Sequence, residues 1–504
     1  MGLTKRIVGG LLGAILLLQV GAALPHLGAE STWPDEAFYL WAADHLFEGR
    51  ASVWDVLLTT QAWVPVSIAA LVDLAVCNIV VSGRLMALGF ALAATLGVFR
   101  LGREVGDCRT GLLSSLLFAA APVVVFQSTR TLMDLPLAAL CVWTALAVLR
   151  LERDQSAASG ARTGVLLFLC VLTKSAGALM LPVVASFWLC RYGRGCFTRP
   201  RLRQYGPVLT GPALLALVLV APAWGNIALG VGGAITVEPF WTYARYFPSN
   251  FGWGPTLLIV PGLVLALRPP RRDAAVLAAL SCLILFCVFS LAVAEKSPRY
   301  ILPAFALSCA LVGLAPLSVV GRSQARLVTA AAIGVALAVS AGLGGLELIQ
   351  RKRAGFTGFA EIGSFLRETA DPRGLVFAGS RRQVRLFSGL DYQEFGGRLA
   401  PLPERLGQID PALPSYIVLD AFEKWNQPDW ALPFGAERFQ LLRERGFVSQ
   451  KEVWRRGLQR QRLIGVVFAS PTDDRVLDPP LAPRGNRPQV QVILSPRWVS
   501  PIGQ

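Results

Sequence analysis

Histidine is almost missing from this chain: 504 residues include two, His26 and His45, both before residue 50. Each reads as an interfacial polar residue rather than a ligand. Cysteine occurs nine times but never after residue 310, and no two cysteines form a CxxC pair or a metal-type spacing. That pattern argues against a disulfide framework or a zinc site and leaves the cysteines as small apolar fillers in helices. Charge is scarce as well, with Asp, Glu, Lys and Arg making up 16% of the residues, against about 25% in an average soluble domain. The space is taken by apolar residues, 54% of the total, and the mean hydropathy is +0.53. A polytopic membrane protein fits these numbers and a soluble one does not.

The net charge of +16 would suit a nucleic-acid partner if the basic residues were clustered on a soluble face. Their order along the chain excludes nucleic acid. Before residue 346, 18 Lys and Arg fall in segments assigned to the cytoplasm, among them Lys5, Arg6, Arg103, Arg109, Arg153 and Arg191 to Arg203. Seven fall on the other side: Arg50, Arg84, Arg130, Lys174, Arg245, Lys296 and Arg299. An excess of this kind on one side sets the orientation of a membrane protein. The N-terminus is expected in the cytoplasm.

Apolar runs predict spans at 7–24, 85–100, 111–126, 135–149, 207–225, 255–267, 274–293, 300–320 and 327–346. Several are shorter than the ~20 residues of an upright span, so tilting or a recessed cavity is implied. The run 64–81 holds Asp73 and Asn78 and is assigned to the outer surface, within a large first outer loop over 26–83. Segment 164–190 read as one span would place five arginines outside. Two half-spans turning inside the membrane at Thr173-Lys174-Ser175 keep them inside, and such a break is tolerated where it lines a cavity. The expected fold is therefore all-α and polytopic, with about eleven crossings over 1–346, followed by a small α/β extracytoplasmic domain over 350–470. There GLVFAG (374–379) and YIVLD (416–420) read as strands and EIGSFLRETA (361–370) as a helix. Residues 471–504, rich in Pro and Arg, read as a loose tail.

The stretch STWPDEAFYLW (31–41) opens the first outer loop. Pro34, Asp35 and Glu36 make a helix start, and Phe38, Trp41, Ala42, His45 and Leu46 recur at helical spacing, as in an interfacial helix. Two roles are open to Asp35: a helix-terminal charge or a functional carboxylate. Asp134, in RTLMDLP before Pro136, has the same two readings. The cations favour function. A lysine at a mid-membrane turn is costly and marks Lys174 as a site candidate. Lys296, Arg299 and Tyr300 share a tight outer loop in EKSPRYILP, and Arg84 and Arg130 are further outer-face cations. Carboxylates and cations gathered on one face suit transfer from a phosphate-bearing lipid. The cations would stabilise the leaving phosphate and a carboxylate would take the proton of the attacking hydroxyl.

Five ordered pieces carry a resemblance: PDEAFYLWAADHLFEG, RLMALGFALAATLGVFRLGREVGDCRTG, STRTLMDLPLA, LTKSAGALMLP and EKSPRYILPA. Over residues 1–320 the chain resembles the GT-C superfamily of membrane glycosyltransferases, in the branch of protein O-mannosyltransferases and aminoarabinose transferases that use polyprenyl-phosphate sugars. The resemblance implies that Asp35, with Glu36 beside it, is the first-loop base or acceptor-orienting carboxylate. It likewise implies that Asp134 is the second-loop carboxylate and that Lys174, Lys296, Arg299 and Tyr300 hold the lipid phosphate. The chain departs from the family in TQAWVP, where members often carry His or paired prolines. Some members place a divalent cation (Mg, Mn or Zn) between loop carboxylates, for which Asp35, Glu36 and Asp134 are the available hard ligands. The expected partners are a polyprenyl-phosphate-linked sugar donor, a lipid, glycan or protein acceptor, and membrane lipids. A secondary transporter or flippase is the competing class. It predicts internal repeats and a site near the midplane, whereas the two halves of residues 1–346 show no convincing repeat and the charges cluster in outer loops instead of within spans.

Overall fold

The computed structural model describes residues 5–47, 62–220, 241–267, 273–292, 297–315, 324–353, 357–371, 374–378, 380–390, 392–394, 414–420, 436–456 and 461–470. The chain divides into two compact units. One comprises Met1–Ala29 with Tyr39–Lys352, the other Glu30–Phe38 with Arg353–Gln504.

The first unit is helical. Its helices are α1 (Lys5–Ala23), α2 (Pro34–Phe47, which starts in the second unit), α3 (Trp63–Val76), α4 (Ile79–Val105), α5 (Cys108–Ala119), α6 (Pro122–Gln127), α7 (Asp134–Asp154), α8 (Ala157–Thr173), α9 (Met180–Tyr192), α10 (Arg199–Val220), α11 (Thr242–Phe251), α12 (Trp253–Leu267), α13 (Asp273–Ala292), α14 (Leu302–Val312) and α15 (Gln324–Arg353). Among the described residues, six helices are long and apolar enough to cross a membrane, beginning with the N-terminal one. Large apolar side chains such as Leu17, Leu18, Leu217, Leu257, Val260 and Val339 stand exposed on the apolar helices of this unit. On a soluble protein so much apolar surface would drive association; on a membrane bundle it faces acyl chains.

The core lies between α4, α7 and α14, where Ala91, Ala94, Val98, Ala138, Val142, Phe305 and Leu307 are buried together. Small residues bring the helices close. A methyl group on Gly111 would meet the carbonyl oxygen of Phe99 at 2.5 Å, so α5 crosses α4 backbone to backbone, as small residues permit in membrane helix pairs. Asp107 turns the chain between the two: its carboxylate accepts the N–H groups of Arg109 and Thr110, closing a capping box with Thr110. The break in the apolar run at 111–126 falls at Ala121-Pro122, where α6 starts on a proline.

The chain does turn at Lys174, whose extended backbone (φ −166°, ψ 139°) ends α8. The packing shows where along the bundle this turn lies. Ser159, near the start of α8, bonds Asp154 at the end of α7, while Lys174 reaches Asp134 at the other end of α7. The turn is therefore level with the start of α7. From there α9 runs back until Tyr192 bonds Glu152. The arginine-rich segment after α9 thus lies at the same end of the bundle as Glu104, Glu152 and Arg153, where Arg153 pairs with Glu104 and Arg191 with Glu152 and Asp273. Helix α3 does not run the length of the bundle. Asp73 bonds Ser82 at the start of α4, and Trp63 packs with Val171 and Leu172, just before Lys174. Both its ends meet the same end of the bundle.

The second unit is the small α/β domain expected from the sequence. Its elements are α16 (Phe359–Thr369), β1 (Leu375–Ala378), α17 (Arg381–Ser388), β2 (Tyr392–Glu394), β3 (Ser415–Asp420), α18 (Ala436–Glu444), β4 (Val448–Arg456) and β5 (Gln461–Ala469). The strand order is β2-β1-β3-β5-β4. Strand β1 runs parallel to β2 and β3, in register Val376 with Tyr416, and β3 and β4 flank β5 antiparallel. Phe359, Ile362 and Leu366, at helical spacing on α16, are buried against Val376, Val418, Val453 and Val467. Strands β4 and β5 escaped the sequence reading. The first contains Lys451, Glu452, Arg455 and Arg456, which mask the alternation that identifies a strand.

Candidate functional site

Three separate pieces of the first unit meet at the end of the bundle where α7 begins. Asp134 opens α7, and the residue before it makes no side-chain cap. Its carboxylate, 4% exposed, turns to cations instead of the helix terminus: Lys174 Nζ donates to Oδ1 at 2.6 Å. Arg299 Nε lies 3.8 Å from Oδ2. Arg299 and Tyr300 belong to a short 3-10 turn, Pro298–Ile301, that enters α14. The Tyr300 ring lies under both cations, 4.7 Å from Lys174 Nζ and 5.2 Å from the Arg299 guanidinium carbon. Among the described residues, these ion pairs set two cations against one carboxylate. Lys174 and Arg299 are each about a quarter exposed, at 26% and 23%. Such a site is buried enough to strengthen electrostatics and open enough to admit an anion. Lys296, expected beside Arg299, lies outside the described residues.

The Lys174 turn is built tightly. Gly177 N–H donates to the Lys174 carbonyl at 2.7 Å. A methyl group on Gly177 would come within 2.1 Å of the Cys170 carbonyl oxygen. Only glycine lets the chain pass there.

Arg84 and Arg130 are both buried in the first unit. Arg84 Nη1 donates to the carbonyls of Leu27 at 2.8 Å and Ala29 at 2.6 Å, closing the end of the chain that leaves α1. Arg130 lies over the Phe126 ring at 5.7 Å. His45 donates from Nδ1 to the Trp41 carbonyl at 3.0 Å, within α2.

Asp35 and Glu36 belong to the second unit. Glu36 is wholly buried, and its Oε2 accepts the Trp33 N–H at 3.2 Å. The helix-start role considered for Asp35 is thus filled by its neighbour. Asp35 Oδ1 receives Arg382 Nη1 at 2.7 Å. The sequence reading missed Arg382, which sits 347 residues from its partner in the polar sequence SRRQVR.

Among the described residues, no three acidic, histidine or cysteine side chains gather as a metal site would require. Asp35 and Asp134 are held by cations, and Glu36 accepts a backbone N–H.

Comparison with known proteins places this architecture. A family model described as dolichyl-phosphate-mannose-protein mannosyltransferase matches residues 62–225. No curated protein matches. The crystal structure of ArnT from Cupriavidus metallidurans bound to undecaprenyl phosphate is similar with a TM-score of 0.62 at 14% identity, covering 95% of this chain and 100% of that one. The archaeal oligosaccharyltransferase AglB from Archaeoglobus fulgidus, in complex with an inhibitory peptide and a dolichol-phosphate, gives 0.60 at 13% identity, covering 91% and 74%. The arabinofuranosyltransferase AftD from Mycobacteria gives 0.56 at 15%, covering 94% of this chain and 42% of that one. The resemblance read from the sequence is borne out at the level of the fold: the chain shares its fold along most of its length with these glycosyltransferase structures and is similar to the mannosyltransferase family over residues 62–225.

Proposed function

We propose that this protein is an integral membrane glycosyltransferase that moves a sugar from a polyprenyl phosphate to a hydroxyl or phosphate acceptor on a lipid, glycan or protein. The reaction takes place on the extracytoplasmic side, with the N-terminus in the cytoplasm. The observation that carries the reading is the convergence of Lys174, Arg299 and Tyr300 around Asp134, with both cations about a quarter exposed. Structural relatives described with undecaprenyl phosphate and dolichol-phosphate support a donor of that chemistry.

In the reaction as the sequence resemblance assigns it, the acceptor oxygen attacks the anomeric carbon and loses its proton to Asp35. The bond from that carbon to the phosphate oxygen breaks, with inversion. The polyprenyl phosphate leaves with one more negative charge, which Lys174 and Arg299 stabilise. Asp134 keeps both cations aimed when the phosphate is absent. The transporter reading has no comparable support, because the charged cluster sits at one end of α7 and not midway along it.

Membranes holding the wild type, Asp35→Asn or Lys174→Ala would be incubated with labelled undecaprenyl-phosphate pentoses and hexoses. Transfer by the wild type and loss in both variants is expected. Transfer untouched by either substitution refutes the site, and solute uptake without transfer supports a transporter.

A further inference from the structure

We propose that Arg382, in the C-terminal unit, is a positioning residue that holds the carboxylate of Asp35; the proposal rests on the reading of Asp35 as the base. An acidic side chain in the first turn of a helix ordinarily finds the unsatisfied N–H groups there. Glu36 occupies that place through Trp33. Asp35, one residue earlier, goes to Arg382 at 2.7 Å.

The grip extends along the whole segment. Arg382, Gln383 and Val384 are consecutive on α17. Gln383, fully buried, donates Nε2 to the Thr32 carbonyl at 3.4 Å. Val384, with Phe387 one turn later, shares a core with Trp33. Glu30 accepts the N–H of Gly358 at 2.8 Å. Gly358 has φ +86°, a conformation open to glycine at no steric cost. The guanidinium of Arg382 also lies over the Phe38 ring at 4.9 Å, three residues beyond Asp35 on the same helix face. It is therefore fixed by a carboxylate and by a ring, both from the segment that carries the proposed base. The C-terminal unit thus forms the seat of the first-loop acid.

Two features separate positioning from a structural role. The side chains are 33% and 36% exposed, and pairs at that exposure add little stability. A general base, by contrast, must point at its hydroxyl within hydrogen-bond reach, and a misplacement of about 1 Å can cost roughly 100-fold in rate. The bond runs from a single nitrogen to a single oxygen, so an ammonium can make it too.

The test uses full-length protein in nanodiscs with whichever labelled undecaprenyl-phosphate sugar the wild type transfers. Arg382→Gln is expected to lower kcat by about 10- to 100-fold, with the KM for donor within about twofold and thermal unfolding unchanged. Arg382→Lys is expected to recover most of the rate. Normal kcat in Arg382→Gln, with Asp35→Asn inactive, overturns the proposal and leaves the reading of Asp35 standing. Full turnover in Asp35→Asn overturns both. A lowered melting temperature in both Arg382 variants, with equal losses of rate, would assign Arg382 to the fold and also overturn it.

Discussion

Replacing Lys174 by Met separates the contact that the structure shows for this side chain from the role proposed for it. Lys174 pairs with Asp134, whose carboxylate is 4% exposed, and in the proposed reaction it also supplies a cation for the leaving phosphate. Removing one member of a buried ion pair costs about 3–5 kcal/mol, because the other charge is stranded. Here Lys174 is 26% exposed and Arg299 remains 3.8 Å from the carboxylate, which reduces the figure to about 2–3 kcal/mol. The apparent melting temperature, followed by tryptophan fluorescence in nanodiscs, should fall by a few degrees. Adding Asp134→Asn removes the stranded charge, so the double variant should regain most of that stability. Turnover should not follow. A donor aimed at developing charge is worth about 100- to 1000-fold in kcat, and the double variant still lacks it. If Lys174→Met with Asp134→Asn recovers rate together with stability, Lys174 serves only to neutralise Asp134, and the phosphate role is refuted.

Gly177→Ala should lower turnover at least tenfold, since the new methyl would sit 2.1 Å from the Cys170 carbonyl oxygen and the turn that presents Lys174 must shift; initial rates check this. Arg84→Met removes a buried cation from the carbonyls of Leu27 and Ala29. It should lower stability by about 1–3 kcal/mol, read as a fall in melting temperature, and an unchanged melt would contradict the role assigned to that contact.

Much of the fold was legible before any coordinates. Apolar runs are a one-dimensional property, because a helix in hydrocarbon satisfies its backbone by itself and needs only length and composition. Hence α4, α7, α12 and α13 lie where the runs predicted them. The break at Lys174 was visible because a single span over 164–190 would have placed the five arginines of 191–203 outside. Its depth was not: that depends on where Asp134 and Glu152 lie on the neighbouring helix. Helix α11, with its TYARYFPSNF sequence, escaped notice because it is amphipathic and interrupted by Pro248.

By itself the sequence determined the membrane class, the helical runs, the α/β character of residues after 350 and the short list of charged residues with costly placements. Each of these follows from local composition and the price of burying charge. Tertiary structure decided the pairings. Lys174 and Arg299 meet at Asp134, and Arg382 meets Asp35 across 347 residues. Partner choice between distant charges is set by which helices and strands pack together, and no window of sequence contains that information.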